Sequence, residues 1–345
     1  MKKQLIIALG LSSILLSCGK DEPSTETPGV NHSVFVAGWS NPPDASPDGA
    51  FYAKLWNNRQ GQQLTANQES RALDLFVQGS DTYAAGCIQS GTSFNATYWK
   101  NGVQITLPNA PNGSTVDCAK AVFVKDSMVY IAGGPLYSST TGALWVNGTA
   151  SNLSGCQDAV DVTVANGSVY VAGLSTDPNS NLTTATFWKN GVRTLMGDGN
   201  TTTTANALAV SDTNVYVVGR DVDFEIARLW RNGQVMNLPG AAFYSDAVDV
   251  AVDGQNVYVL VIEEDQNTGN IRTVLYKNNT RSILSNDASV NTEGTGLVVK
   301  DGIVYVCGLR TGSNGVDKAV YWKNGSLVNL SDGSIHESAS GIFVR

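Results

Sequence analysis

The chain reads Val169-Tyr170-Val171-Ala172-Gly173 and, after a loop, Phe187-Trp188-Lys189-Asn190-Gly191. The second motif recurs along the chain, and its successive aromatic residues lie roughly 42 to 46 residues apart. The seven copies are Leu55-Trp56-Asn57-Asn58, Tyr98-Trp99-Lys100-Asn101-Gly102, Leu144-Trp145-Val146-Asn147-Gly148, Phe187-Trp188-Lys189-Asn190-Gly191, Leu229-Trp230-Arg231-Asn232-Gly233, Leu275-Tyr276-Lys277-Asn278-Asn279 and Tyr321-Trp322-Lys323-Asn324-Gly325. This spacing is that of a four-stranded propeller blade, so the repeat predicts a ring of seven blades.

Each repeat contains four segments with the pattern of β-strands, which we name A to D from the ring axis outward. In the fourth repeat they are Ala159–Val164, Val169–Gly173, Ala185–Trp188 and Val192–Leu195. Apolar residues alternate with a period of two, and no stretch shows the 3.6-residue period of an amphipathic helix. Asn190-Gly191 predicts a tight hairpin between strands C and D, because both positions accept a positive φ. The sequence therefore predicts an all-β fold.

The two ends of the chain contain complementary parts of one blade. The first repeat begins at a strand B, Ser33–Gly38, with no strand A before it. Ser338–Val344 at the other end has the pattern of strand A and is followed by no strand B. We therefore expect the C-terminal strand to complete the N-terminal blade, which closes the ring and removes its free sheet edges.

The N-terminus has the features of an export signal. Met1-Lys2-Lys3 precedes an apolar run from Leu5 to Leu16, which is too short to span a membrane. Leu15-Leu16-Ser17-Cys18 resembles the lipobox of bacterial lipoproteins, in which the cysteine thiol receives the lipid; the alternative is an ordinary signal peptide. The predicted segments are a signal peptide at 1–17, the lipidated Cys18 with a flexible linker at 18–31, and the propeller at 32–345.

The charge balance bears on the partners of the chain. There are 22 basic and 30 acidic residues, which gives a formal net charge of −8. Nucleic acid and anionic lipid headgroups both attract basic surfaces, so neither is expected as a partner. Membrane contact is predicted through the lipid anchor alone.

Four cysteines follow Cys18, and export permits disulfides. Cys118 and Cys156 come near the starts of neighbouring innermost strands and form one possible pair, while Cys87 competes as a partner for either. The sequence leaves these pairings open. Cys307 replaces the Ala of the V-Y-V-A-G motif inside a strand and is expected to be a buried free thiol.

Three aspartates occupy equivalent positions on alternate innermost strands: Asp74, Asp161 and Asp249. The other repeats carry Ala or Gly there, as crowding at the axis requires. Converging carboxylates could hold Ca²⁺, the one cofactor that the sequence suggests. The alternative, which we favour, is that each carboxylate accepts hydrogen bonds from nearby backbone N–H groups.

The B–C and D–A loops vary in length and share one face of the disc, whereas the A–B and C–D turns on the other face are short and uniform. Variable loops on a rigid repeat scaffold favour a binding face. Trp39, Phe224 and Tyr244 are the candidate ligand-binding residues on this face, because aromatic rings stack on sugars and anchor protein partners. Packing of loop against loop is the alternative reading of the same residues.

The motifs favour binding over catalysis. There are two histidines, and no nucleophile elbow, phosphate-binding loop or Cys-x-x-Cys pair occurs. The sequence predicts a non-catalytic module that binds a glycan or a protein. Two alternatives remain: a polysaccharide-degrading glycosidase or lyase using the axial carboxylates, whose paired acids leave no linear motif, and a structural subunit of an envelope complex.

The V-Y-V-A-G and W-K-N-G repeats together with the lipobox resemble the seven-bladed propeller surface lipoproteins of the Bacteroidota. Lys20-Asp21-Glu22 is similar to the short export signal of that group. The resemblance implies a lipid-anchored protein on the outer face of the outer membrane. The repeats lack the Gly-His and Trp-Asp signatures of WD40 units and the regular double Gly of kelch units.

Overall fold

The computed structural model describes residues 32–41, 49–136, 141–197, 199–242, 244–285, 287 and 289–345. The predicted signal peptide, Cys18 and the predicted linker to residue 31 lie outside the described residues. Residues Ser33–Arg345 form one unit. No helix among the described residues is long and apolar enough to cross a membrane.

The described residues form 28 strands in seven antiparallel sheets of four strands. Blades 1 to 3 are, from the axis outward, β28 (Glu337–Val344), β1 (Val34–Ser40), β2 (Tyr52–Asn57) and β3 (Gln60–Gln63); β4 (Ser70–Gln78), β5 (Asp81–Ser90), β6 (Ser93–Lys100) and β7 (Val103–Thr106); β8 (Cys118–Lys125), β9 (Met128–Gly134), β10 (Ala143–Val146) and β11 (Thr149–Asn152). Blades 4 and 5 are β12 (Cys156–Ala165), β13 (Ser168–Thr176), β14 (Thr183–Lys189) and β15 (Val192–Leu195); β16 (Thr203–Ser211), β17 (Asn214–Asp221), β18 (Ile226–Arg231) and β19 (Gln234–Met236). Blades 6 and 7 are β20 (Ser245–Asp253), β21 (Asn256–Glu264), β22 (Ile271–Lys277) and β23 (Thr280–Ile283); β24 (Thr292–Lys300), β25 (Ile303–Thr311), β26 (Asp317–Lys323) and β27 (Ser326–Asn329).

The innermost strands contact one another around a complete ring, from β4 through β24 to β28 and back to β4. The predicted all-β, seven-bladed propeller is confirmed. Strands A and B extend further than predicted: in blade 4, β12 starts at Cys156 rather than Ala159, and β13 ends at Thr176 rather than Gly173. Polar residues that resemble a loop in sequence continue the ladder there, since Cys156 pairs with Ser175 and Thr176 with Thr183.

The C-terminal strand completes the N-terminal blade, as predicted. Strand β28 pairs antiparallel with β1, with Val344 opposite Val34. The backbones of Ser33 and Arg345 exchange two hydrogen bonds, of 2.9 and 3.1 Å, at the end of this ladder. The ring is therefore complete within residues 33–345.

Each of the seven innermost strands in the described chain carries a β-bulge at the same place. In blade 4, Ala159 pairs with Gly173 and Asp161 with Ala172, which leaves Val160 unpaired. A Cβ on Gly173 would lie 1.9 Å from the carbonyl oxygen of Asp158, so the close approach in this blade favours glycine. The same contact occurs at Gly38, Gly86, Gly133, Gly219 and Gly308, whereas blade 6 carries Val261 at this position. The bulge explains the glycine of V-Y-V-A-G.

The Asn of each hairpin joins strand C to strand B. Asn190 donates its backbone N–H to the carbonyl of Val169 (2.8 Å), and its Oδ1 accepts the backbone N–H of Val169 (2.9 Å). Asn190 has a φ of +49°, which Asn and Gly tolerate best. The same pair of hydrogen bonds is made by Asn58, Asn101, Asn147, Asn232, Asn278 and Asn324.

The aromatic residue of each hairpin packs between blades. All seven are at most 2% exposed. Trp188 of blade 4, for example, packs in one cluster with Ala121, Ala132 and Leu144 of blade 3. These rings belong to the hydrophobic core between the blades.

One disulfide joins Cys87 in β5 to Cys118 in β8 and so links blade 2 to blade 3. Of the pairings that the sequence leaves open, the structure has Cys87 with Cys118 and not Cys118 with Cys156, because the end of strand B in one blade lies beside the start of strand A in the next. Cys156 and Cys307 are buried free thiols, as expected for Cys307. Burial raises the pKa of each thiol to about 12.

Replacing Asn190 separates the two contributions of this residue to the hairpin. Asn190→Gly removes the Oδ1 hydrogen bond but keeps the positive φ unstrained, and we expect a loss of about 1 kcal/mol in the free energy of unfolding. Asn190→Ala adds the strain of a left-handed alanine, which brings the loss to about 2 kcal/mol. Chemical denaturation of the propeller measures both values. Equal losses for the two variants would contradict the assigned role of φ.

Candidate ligand-binding face

We define the loop face as the face formed by the B–C and D–A connections, and the hairpin face as that formed by the A–B and C–D turns. The hairpin face is uniform, since all seven C–D turns carry the Asn pair described above. Among the described residues, the exposed aromatic side chains are Phe224 (54% exposed) and Tyr244 (56%), both on the loop face. The loops therefore carry the distinctive surface of the ring.

Trp39 lies within strand β1, opposite Ala53, and not in a loop. It is partly buried, and its ring packs edge-on against Phe51 with 4.5 Å between ring centroids. The guanidinium of Arg71, which belongs to blade 2, lies 4.7 Å from the centroid of the Phe51 ring. Trp39 is thus part of a packed cluster of blades 1 and 2 at the edge of the loop face. It does not lie beside the candidate residues of blades 5 and 6.

Phe224 and Tyr244 lie on neighbouring connections. Phe224 is in the B–C loop of blade 5, and Tyr244 directly precedes strand A of blade 6. The carbonyl of Glu225 accepts the N–H of Ser245, and the carbonyl of Tyr244 accepts the N–H of Glu264, both at 3.1 Å. Tyr244 has a φ of +58°, which is rare for a bulky residue and costs on the order of 1 kcal/mol. The surrounding backbone therefore holds this ring in its exposed position.

A cleft of about 400 Å³ opens between blades 4 and 5, and we call it the 4/5 cleft. Its lining includes Thr201, Asp221, Phe224, Arg228, Trp230 and Gln234. The cleft opens where the B–C loop of blade 5 meets the D–A loop between blades 4 and 5, and it continues along blade 5 to the C–D hairpin residues Gly233 and Gln234. It brings the predicted Phe224 together with Asp221, which the sequence marks only as part of an acidic loop cluster, and with Arg228 and Trp230, which the sequence does not suggest as site residues.

Asp221 organises the floor of this cleft and is 4% exposed. Its Oδ2 accepts hydrogen bonds from Arg228 Nη2 (3.0 Å) and Thr201 Oγ1 (3.2 Å), and its Oδ1 accepts the N–H of Phe224 (3.3 Å). Asp221 thereby fixes the loop that carries Phe224. In the sequence, the only sign of this ion pair is that Asp221 and Arg228, which have opposite charges, flank one B–C loop.

A second acidic group on blade 6 follows the same plan. Glu263 is fully buried and pairs through Oε1 with Arg281 and with Arg272 Nε (2.7 Å). Asp265 Oδ2 accepts Arg272 Nη1 at 2.5 Å. The acidic residues of blades 5 and 6 are therefore largely neutralised by arginines of the same blades.

The three axial aspartates act as clamps between neighbouring blades. Asp161 Oδ1 accepts the N–H of Val162 and its Oδ2 accepts the N–H of Leu208 on blade 5, both at 2.7 Å. Asp249 similarly bridges Val250 and Leu297, and Asp74 Oδ2 accepts the N–H of Val122 (2.8 Å). The structure thus gives these carboxylates the backbone partners of the favoured interpretation.

The carboxylates border an axial channel of about 210 Å³. Among the described residues, no group of three or more His, Cys, Asp or Glu side chains is arranged to hold a metal ion. Asp74, Asp161 and Asp249 are not brought together as a Ca²⁺ ligand set. Their oxygens face backbone N–H groups on three separate blade junctions.

Burial is the main cause of the altered acidity of these groups. It raises the pKa of Asp74 to about 7 and that of Asp161 to about 6, although the backbone hydrogen bonds act in the opposite direction. The pKa of Asp249 is raised well above its ordinary value, by burial first and by the charge of Asp161 second. The axis therefore favours the protonated form of all three carboxyl groups.

Three further junctions have a different kind of polar contact, which the sequence does not suggest. Lys120 Nζ of blade 3 binds Asp158 Oδ2 of blade 4 at 2.7 Å, and Asn206 Nδ2 of blade 5 donates to Asp246 Oδ1 of blade 6 at 2.7 Å. Thr295 of blade 7 donates to the Ala339 carbonyl in blade 1 at 2.9 Å. The donors Lys120, Asn206 and Thr295 occupy the unpaired bulge position of their strands.

Comparisons with known proteins show a similarity of fold alone. No family model and no curated protein matches the sequence. Among solved structures, hydrazine synthase of Kuenenia stuttgartiensis is 9% identical, with a TM-score of 0.50. The match covers 92% of this chain and 47% of the hydrazine synthase chain. A puromycin-hydrolyzing peptidase of Mycobacterium tuberculosis is 10% identical, with a TM-score of 0.47 and coverage of 75% and 53%. An acylaminoacyl peptidase of Pyrococcus horikoshii is 12% identical, with a TM-score of 0.46 and coverage of 76% and 46%. The chain spans about half the length of these proteins.

The raised pKa of Asp161 predicts a pH-dependent stability. Between about pH 4 and pH 6 the folded state binds more protons than the unfolded state, so the free energy of unfolding falls as the pH rises through this window. The contribution of Asp161 is at most about 3 kcal/mol; it is fully present only below the unfolded pKa of 3.8 and is lost as the pH rises through the folded pKa of about 6. Asp161→Asn should flatten the stability profile by up to this amount.

Chemical denaturation at pH 4.5 and pH 7.5 measures the effect. The exposed turn variant Asp126→Asn is the matched control and should keep the wild-type profile. An unchanged pH dependence in Asp161→Asn would show that this carboxyl group does not change its protonation on folding.

Proposed function

We propose that this chain is a non-catalytic binding module that is tethered by a lipid on Cys18 to the outer membrane and presents its loop face outside the cell. The ligand is a glycan or a protein. The sequence Leu15-Leu16-Ser17-Cys18 supports the tether.

The contrast between the two faces of the ring carries the binding proposal. The hairpin face repeats one hydrogen-bonded turn, whereas the loop face carries both exposed aromatic rings of the described chain and the 4/5 cleft. Exposed aromatics beside a preformed cleft are typical of ligand sites. Tyr244 adds a strained φ that the surrounding loops maintain.

No observation specifically favours polysaccharide cleavage at the axis. Asp161 and Asp249 each use both carboxylate oxygens to accept hydrogen bonds from backbone N–H groups of two blades. A structural subunit of an envelope complex would use the same exposed surface, but its ligand would be another protein of that complex. It predicts stoichiometric cross-linking to one envelope protein.

Paired variants of the two faces test the site of binding. The propeller is applied to a glycan array and to cross-linking capture from envelope extracts. Phe224→Ala combined with Tyr244→Ala should lower binding at least tenfold, because both exposed rings are removed. Val192→Ala combined with Leu327→Ala removes exposed apolar side chains from C–D hairpins and should have no effect. Equal binding by both double variants would place the ligand elsewhere.

The tether is tested by labelling cells with an alkyne fatty acid. The wild-type chain should carry the label and fractionate with the outer membrane, and external protease should digest it. Cys18→Ala should lose the label and become soluble, because its thiol is the only predicted attachment point. A soluble, unlabelled wild-type chain would instead indicate an ordinary signal peptide.

A further inference from the structure

The 4/5 cleft combines a flat apolar surface with hydrogen-bonding groups of both kinds. We propose that it binds one ring of an uncharged glycan, with Phe224 stacking on the ring and Asp221, Arg228 and Trp230 binding its hydroxyl groups. This assignment rests on the proposed function of the loop face. It commits the ligand to a chemical class and to one cleft.

Phe224 supplies the flat surface. Its ring is 54% exposed and lines the cleft, while its backbone N–H is held by Asp221 Oδ1. A sugar ring presents C–H groups on one side, and these pack against an aromatic plane. Because the loop is fixed before the ligand arrives, little conformational entropy is lost on binding.

Asp221 and Arg228 supply an acceptor and donors side by side. The Arg228 side chain is 29% exposed and gives one N–H to Asp221 Oδ2, which leaves its other guanidinium N–H groups available to a ligand. Each sugar hydroxyl both donates and accepts, so two neighbouring hydroxyls match a carboxylate beside a guanidinium. The 4% exposure of Asp221 shows that this carboxylate is built into the floor of the cleft.

Trp230 supplies an uncommitted donor. Its indole is 1% exposed and lines the cleft, yet its Nε1 has no hydrogen-bond partner among the described residues. The equivalent Trp145 and Trp188 donate to the carbonyls of Pro108 (2.8 Å) and Ser154 (3.1 Å) in the adjacent D–A loops. A buried N–H without a partner costs free energy, and a ligand oxygen in the cleft removes that cost.

Trp99 on blade 2 also has an unpartnered Nε1. Neither exposed aromatic ring of the described chain lies on that blade, so the combination of features is specific to the 4/5 cleft.

The charge and size of the cleft select the class of glycan. Its acid and its base neutralise each other, and the chain as a whole has a net charge of −8, so sulfated, phosphorylated or uronic-acid sugars are disfavoured. A volume of about 400 Å³ lies at the small end of ligand pockets and suits one ring, with the rest of a chain running over the loop face. The mixed donors and acceptors differ from the apolar pocket that anchors a peptide side chain.

The test uses the propeller, residues 33–345, on an array of neutral and anionic glycans, followed by calorimetry with the best-binding oligosaccharide. We expect neutral glycans to bind and Phe224→Ala to weaken binding at least tenfold. Trp230→Phe, which keeps the buried ring but removes the N–H, should weaken it about threefold to tenfold. Val192→Ala and Leu327→Ala, which change exposed apolar side chains of C–D hairpins outside the cleft lining, are the matched controls and should stay within twofold of the wild type.

The outcomes separate the cleft from the loop face. If a glycan binds but Phe224→Ala and Trp230→Phe leave its affinity unchanged, the cleft assignment is wrong while the binding module stands. Capture of a protein through the loop face with no glycan bound overturns the ligand class alone. If neither glycan nor protein binds, both this assignment and the proposed function fail. Circular dichroism of each variant excludes misfolding as the cause.

Discussion

The pair of hydrogen bonds between each hairpin Asn and the start of strand B sets the register of the blade. With Asn190 locked to Val169, Lys189 pairs with Tyr170 and Trp188 with Val171. The Lys189 ammonium then lies 5.4 Å from the Tyr170 ring centroid, and the indole of Trp188 enters the space between blades. A slip of one residue would exchange the two sides of strand C and move Trp188 to the side where Phe187 packs against blade 5. One short turn thus determines both the surface and the core of each blade.

Near the axis, the β-bulges of the innermost strands position polar side chains that contact the next blade. Two kinds of contact alternate around the ring. Blades 2, 4 and 6 send an Asp carboxylate to a backbone N–H group of the next blade, and blades 3, 5 and 7 send a side-chain donor from the bulge position. Seven is odd, so the alternation must fail at one place. It fails between blades 7 and 1, where Gly296 and Gly341 occupy the Asp position and a Cβ on Gly296 would lie 3.5 Å from the Gly341 Cα. Close packing of small residues replaces the carboxylate at the junction that contains the closing strand.

The sequence predicts what repeats and misses what arises between repeats. Strand order, ring closure and the burial of the seven hairpin aromatics follow from motifs that recur with a constant spacing. The Cys87–Cys118 pair and the contact of Lys120 with Asp158 depend on which strand end faces which neighbour, and a local pattern does not contain that geometry. The candidate site divides in the same way. Phe224 stands out as an unusual loop aromatic, whereas Trp230 looks like every other hairpin tryptophan until the partner of its Nε1 is sought.

The polar groups of the loop face are held by the same ladders that build the blades. Asp221 ends strand B of blade 5, and Arg228 lies in strand C of that blade, opposite Gly219. Glu263 and Arg272 are direct cross-strand partners in blade 6. Each acid–base pair is therefore positioned by one hairpin and needs no ligand to form. Because the hairpin face and the core fix these strands, loop residues such as Phe224 can differ between blades without loss of register. A rigid repeat of this kind preorganises binding groups while leaving their identity free to vary.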